Sequence, residues 1–185
     1  MSVLTREISA AAASSPRHLT AGTVADPVRL TWREVHEQAK RMAGGLAARA
    51  IGRHGSVAVL ATDAADIAPL AQAAWLSRAA VTMLQQPTPR TDLAVWLADT
   101  VRATQMIKAD VVVIGEQFLS ALDPLTAHGL AVCTVASLRR ADPIELDITD
   151  HANEADIAMR QLTSGSTGVP KAVEISHGNL AANAV

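Results

Sequence analysis

Short, almost wholly apolar runs separated by helix-length segments restrict the possible folds of this chain more than any other feature. The clearest run is Val111–Ile114, four consecutive β-branched residues followed by Gly115. Comparable runs lie at residues 57–60, 81–84 and 130–135. Runs of this kind are typical of strands that are covered on both faces. The spacing therefore predicts an α/β fold with a mostly parallel sheet flanked by helices.

Helical patterns occupy the segments between these runs. Thr31 and Glu34 match a capping box, which predicts a helix that begins after Thr31 and ends near Gly52. A second helix is expected from Asp63 or Ala64 to Ser77. A third, capped by Thr91 or Asp92, is expected to turn these side chains toward the core: Leu93, Trp96, Leu97 and Val101. Ahead of these elements, residues 3–13 can form a helix and residues 19–30 a hairpin that turns near Asp26.

Composition narrows the class of protein. The 185 residues suffice for one folding unit, and 49% of them are apolar. Sixteen basic and 18 acidic residues are spread along the chain, so we expect no nucleic-acid partner. Cys133 is the only cysteine, which excludes an intrachain disulfide. Because no leader and no run of roughly 18 to 20 apolar residues is found, we expect a cytoplasmic protein without a membrane span.

An acidic connector is predicted at residues 142–156, which hold six carboxylates and are expected to form a solvated surface segment. The six histidines are scattered without the close pairing that a metal site needs, so no metal ligand is predicted. Trp75 and Trp96 lie on apolar helical stripes and are expected to pack in the core.

A segment rich in glycine and hydroxyl side chains, Thr-Ser-Gly-Ser-Thr-Gly-Val-Pro-Lys at residues 163–171, lies between predicted strands at 157–162 and 172–175. Its glycines let backbone amides approach a ligand, its hydroxyls add donors, and its lysine offers a positive charge. The spacing differs from that of the GxxxxGK[ST] loop. The pattern suits a phosphate chain, although a plain Ser/Gly turn between strands would have the same composition.

Residues 162–173, with Ser176, His177, Gly178, Asn179 and Leu180, closely resemble the signature of the AMP-forming acyl ligases. That family includes fatty acyl-CoA synthetases, fatty acyl-AMP ligases, luciferases and nonribosomal peptide adenylation domains. A weaker likeness at residues 30–35, 57–60 and 73–81 extends the resemblance over nearly the whole chain. It implies that residues 1–185 form the N-terminal subdomain of an adenylation domain.

The resemblance implies a two-step reaction in fatty acid metabolism. A carboxylic acid, with a fatty acid as the default, attacks Mg²⁺-bound ATP to give an acyl-adenylate and pyrophosphate, and coenzyme A or a carrier-protein thiol can then accept the acyl group. Lys171 is implied to act in catalysis by neutralising the outer phosphates. The residues implied to bind the nucleotide are Thr163, Ser164, Gly165, Ser166, Thr167, Gly168 and Lys171. His177 is a further candidate, because its counterpart in the family lies near the active site.

Two positions depart from the family pattern, which usually has glycine at Ala172 and often an aromatic residue at Leu162. The family's adenine and ribose contacts, its magnesium-binding glutamate, its acyl pocket and its second lysine have no match within the 185 residues. We therefore expect residues 1–185 alone to be inactive. Two alternatives stay open at this point, namely a self-contained nucleotide-binding module and a non-catalytic interaction fragment.

Overall fold

A six-stranded sheet organises the chain in the computed structural model, which describes residues 1–145, 151–163 and 171–183. The strands of the described residues are β1 His18–Gly22, β2 Pro27–Thr31, β3 Ser56–Leu60, β4 Ala80–Met83, β5 Val111–Ile114, β6 Val132–Thr134, β7 Ile157–Thr163 and β8 Lys171–Ser176. The helices are α1 Val3–Ser14, α2 Trp32–Ala47, α3 Ala64–Leu76, α4 Leu93–Met106, α5 Leu122–Ala127, α6 Val135–Arg139 and α7 His177–Asn183, with a 3-10 helix at Glu116–Ala121.

The strand order of the large sheet is β6-β5-β3-β4-β7-β8. Every neighbouring pair in it is parallel except β7 and β8, which are antiparallel. The strands β1 and β2 form a separate antiparallel hairpin. The prediction of a mostly parallel α/β sheet with flanking helices is therefore confirmed.

Two apolar cores cover the two faces of the sheet. One packs α2, α3 and α6 on one face, with Met42, Leu46 and Leu70 wholly buried. The other packs α4 and α5 on the opposite face, with Trp96 and Leu125 buried. Because β3 and β5 are buried along their whole length, their uninterrupted apolar sequences match their environment.

The helix starts follow the predicted caps. The Glu34 amide donates to Thr31 Oγ1 at 3.2 Å, and the Thr31 amide donates to Glu34 Oε2 at 2.7 Å, so the capping box is present. Asp63 caps α3 and Asp92 caps α4 through their carboxylates. The helix α2 is shorter than predicted, because it ends at Ala47.

Two sequence predictions about apolar residues are wrong. Leu93 is 66% exposed, because α4 turns Trp96, Thr100 and Thr104 toward the core at four-residue spacing. Leu93 stands one residue off this stripe. Residue Val135 is not in a strand, since Thr134 caps the short helix α6 that begins there.

The predicted solvated connector is wrong at its carboxyl end. Within its described residues, 142–145 and 151–156, Ala152 is buried and Asp156 is 8% exposed. Asp156 pairs with Arg78, with 3.2 Å between Oδ2 and the nearest guanidinium nitrogen. Along the described residues, no helix is both long and apolar enough to cross a membrane.

Candidate phosphate-binding site

The hairpin of β7 and β8 places Thr163 and Lys171 opposite each other at the end where the chain leaves β7 and returns to β8. The two residues are paired in the ladder, and Thr163 Oγ1 donates to the Lys171 carbonyl at 3.4 Å. Since β7 runs parallel to β4, this end of the hairpin lies at the carboxyl edge of the parallel strands. Ligands of open α/β sheets bind outside this edge.

Most of the predicted phosphate-binding residues lie outside the described residues: Ser164, Gly165, Ser166, Thr167 and Gly168. Thr163 and Lys171 are described, and both are exposed. Among the described residues, the Lys171 ammonium has no ion-pair or hydrogen-bond partner. A lysine placed in this way can receive an anionic ligand without first breaking an ion pair.

The two departures from the family pattern face each other across the hairpin. Leu162 pairs with Ala172 in the ladder, and both are partly buried against the core that contains Trp96. The aliphatic pair thereby fixes the base of the hairpin to the sheet beneath it. Both departures are accommodated by apolar packing.

A cavity of about 550 Å³ lies beside Thr163, between α4 and the ends of β4 and β7. Its lining is mainly apolar and includes Met83, Leu84, Val95, Trp96 and Leu162. Trp96 keeps its ring fixed because Nε1 donates to the Gln85 carbonyl at 2.8 Å. The volume falls within the range of small-molecule sites in proteins.

His177 begins α7 as predicted, and its side chain is wholly buried. Its Nδ1 lies 3.1 Å from Ser2 Oγ, and its ring meets Trp75 edge to face with centroids 6.3 Å apart. Its Nε2 has no hydrogen-bond partner among the described residues. Burial lowers the pKa of His177 against the opposing influence of Asp156 and Glu154. These contacts fix α1 to α7, which is a structural role.

Nothing in the pattern of the sequence signals that Ser2 belongs to this cluster. The Ser2 amide donates to the Ala152 carbonyl at 2.6 Å, and the Val3 amide donates to Glu154 Oε1 at 2.6 Å. Ser2 also caps α1, because its Oγ accepts from the Thr5 amide. The start of the chain is thus bound to the connector that precedes β7.

We expect the stability of the chain to fall as the pH drops below the ordinary histidine pKa of about 6.5. The lowered pKa of buried His177 means that the unfolded chain binds more protons than the folded chain between that lowered value and about 6.5. The free energy of unfolding therefore decreases toward acid in this window, by at most about 1.4 kcal/mol per pH unit for one proton. Urea unfolding at a series of pH values measures it.

The matched variants are His177→Asn and His128→Gln, since His128 is exposed. His177→Asn should lower stability and flatten the pH dependence, whereas His128→Gln should retain the slope of the parent chain. An equal slope in all three proteins would contradict this assignment.

Within the described residues, no group of three His, Cys, Asp or Glu side chains is placed to hold a metal ion. The described part of the site offers two groups to a nucleotide, the Thr163 hydroxyl and the Lys171 ammonium.

The fold and the hairpin are those of adenylation domains. The chain superimposes with a TM-score of 0.81 on the structure of McyG A-PCP complexed with phenylalanyl-adenylate, at 21% identity over 97% of this chain and 33% of that one. The TM-score is 0.76 for the fatty acyl-adenylate ligase from L. pneumophila in complex with acyl adenylate and pyrophosphate, at 21% identity over 97% of this chain and 31% of that one. At this identity the likeness shows the shared fold.

The chain belongs to the AMP-binding enzyme family, whose model matches residues 8–185. It is 52% identical over 158 residues to the candidate ligase Rv1013 of Mycobacterium tuberculosis, which covers 85% of this chain. The aligned region spans 28% of that relative's length. The predicted membership of the adenylate-forming ligases is therefore confirmed, and family membership implies the use of ATP.

Proposed function

We propose that the chain supplies the phosphate-binding part of an enzyme that activates an apolar carboxylic acid as its acyl-adenylate. The observation that carries the proposal is the β7–β8 hairpin, which sets Thr163 and Lys171, whose ammonium has no partner among the described residues, at the carboxyl edge of the sheet. The family signature lies between these two residues. A cation here would offset the charge on the outer phosphates as pyrophosphate departs.

The cavity beside Thr163 would add apolar surface to an acyl pocket whose family residues have no match in this sequence, and it thereby favours a fatty or other apolar acid over a charged one. Asp99 and Arg102 also line the cavity, but the larger part of its wall is apolar, and burial of an acyl chain against that part would be favourable by roughly 25 cal/mol per Å² of apolar surface. The carboxylate of such an acid would lie toward Thr163, near the place where the reaction occurs. Transfer of the acyl group to coenzyme A or to a carrier-protein thiol is the second step of the same proposal.

Carboxylate-dependent exchange of pyrophosphate into ATP tests the proposal. We expect no exchange from a polypeptide of residues 1–185, because the solved neighbours are about three times as long. The same residues joined to the remaining part of the M. tuberculosis relative should exchange pyrophosphate with apolar acids and not with charged amino acids. Exchange by residues 1–185 alone, or a preference for charged acids, would contradict it. Micromolar binding of ATP by residues 1–185 without exchange would favour a self-contained nucleotide-binding module.

A further inference from the structure

A second cavity, of about 250 Å³, lies at the opposite edge of the sheet from Thr163. It is bounded by the amino end of β3, the carboxyl end of α4 and the β7–β8 hairpin. Its polar lining consists of His54, Ser56, Lys108, Arg160 and Glu174. Arg160 stands three residues before Thr163 on β7, about 10 Å along an extended strand.

One nitrogen of the Arg160 guanidinium lacks a hydrogen-bond acceptor among the described residues. Its Nε donates to Glu174 Oε1 at 3.1 Å across the hairpin, and its side chain is 18% exposed. Its Nη1 is buried and has no hydrogen-bond partner among the described residues. The 18% of the side chain that stays exposed leaves other parts of the guanidinium open to an oxygen ligand in the cavity.

The charge around the cavity favours an anion. Lys108 and Arg160 are cationic and Glu174 is anionic, so the lining carries one net positive charge with His54 neutral, and the nearby Asp110 carboxylate accepts from the Ser56 amide at 2.7 Å. Near the end of α4, the carbonyls of Thr104, Gln105 and Ile107 already accept hydrogen bonds from the chain. One of them, the Ile107 carbonyl, accepts from Ser56 Oγ at 3.0 Å.

Two turns fix the cationic lining in place. His54 and Lys108 both have left-handed backbones, with φ values of 66° and 51°. The His54 amide donates to the Arg78 carbonyl at 3.0 Å, and the Lys108 amide donates to the Gln105 carbonyl at 3.1 Å. Non-glycine residues hold such conformations only where the surrounding structure imposes them.

We propose that this cavity is a binding site for a small oxyanion of the phosphate class, held by Arg160 and Lys108 with His54 at its rim. The guanidinium and ammonium groups form charge-assisted hydrogen bonds to such an anion. The site is separate from the predicted phosphate loop. Its occupant is either free phosphate or the phosphoryl group of a larger molecule.

Titration of the 185-residue chain with inorganic phosphate, followed by calorimetry and by thermal unfolding, tests the site. We expect phosphate to raise Tm above the value in sodium chloride of equal ionic strength. Arg160→Gln should raise the Kd for phosphate at least about tenfold. Lys108→Asn should do the same without harming the fold, because asparagine tolerates the left-handed backbone at this position.

Two controls separate this site from its rivals. Arg102→Gln removes an exposed charge from α4 and should leave the Kd unchanged. Lys171→Ala removes any phosphate bound at the predicted loop, so the binding that is lost in Arg160→Gln and Lys108→Asn should persist in this variant; its disappearance there would overturn the proposal. Tighter binding of a phosphate monoester than of free phosphate would identify the occupant as a phosphoryl group. Equal stabilisation by phosphate and sodium chloride, or unchanged binding in both Arg160→Gln and Lys108→Asn, would overturn it as well.

Discussion

Replacement of Lys171 by alanine is expected to lower carboxylate-dependent pyrophosphate exchange by roughly 10-fold to 150-fold in the extended protein described above. The variant loses a charge-assisted contact to the outer phosphates, which is worth about 1.5 to 3 kcal/mol. Lys171 is exposed at the first position of β8, so its truncation should not change the fold. The measurement is kcat/KM for exchange with an apolar acid.

Lys40→Ala is the matched control. It removes the same charge from α2, where Lys40 pairs with Glu37 at 2.9 Å on the surface, and should leave exchange unchanged. Lys171→Arg should retain part of the activity, because it keeps the charge with a different hydrogen-bond geometry. Full exchange activity of Lys171→Ala would show that the hairpin is a structural turn and not a phosphate-binding site.

Features that depend only on residues close together in the chain could be predicted from the sequence. Val111–Ile114 forms a strand because β-branched side chains fit a sheet that is covered on both faces. The capping box at Thr31 needs only groups three residues apart, and it is present as predicted. The antiparallel β7–β8 pair follows from two strand patterns joined by a glycine-rich segment.

Features that depend on distant residues could not be predicted in this way. Asp156 looked solvated because its neighbours in the chain are acidic, yet it is buried beside Arg78. The pairing arises because Arg78 lies two residues before β4 and Asp156 one residue before the adjacent parallel strand β7, so both lie at the same edge of the sheet. The contact of His177 with Ser2 likewise joins residues 175 positions apart. Only the tertiary fold, which a single sequence does not state, brings such groups together.

The pair of Arg78 and Asp156 is stabilised by more than its mutual attraction. The two side chains are 10% and 8% exposed. Asp156 Oδ2 also accepts from the Asn153 amide at 3.0 Å, and Oδ1 accepts from the Asn153 side chain at 3.2 Å. Burial alone would raise the pKa of Asp156, but the hydrogen bonds from Asn153 and Arg78 outweigh it and hold the pKa below its ordinary value.

We therefore expect Arg78→Ala to lower the free energy of unfolding by about 3 to 5 kcal/mol, since it leaves the Asp156 carboxylate buried without its cation. The matched control is Arg102→Ala, which removes a surface arginine that pairs with Asp99 at 3.3 Å, and it should cost at most about 1 kcal/mol. Urea unfolding measures both changes.

The double variant Arg78→Met/Asp156→Leu separates the pair from its surroundings. Once both charges are gone, neither is left unpaired, so the double variant should be less destabilised than the sum of Arg78→Met and Asp156→Leu.

The lowered pKa of Asp156 adds a second readout. The contribution of Asp156 to the free energy of unfolding is present above the ordinary aspartate pKa of about 3.9 and is lost as the pH falls through the lower folded value. The prediction is contradicted if the losses of unfolding free energy in the two single variants add up to the loss in the double variant, and if Asp156→Leu leaves the fall of stability at acid pH unaltered. The two side chains would then contribute independently, and the adjacency of the strands alone would hold this edge of the sheet together.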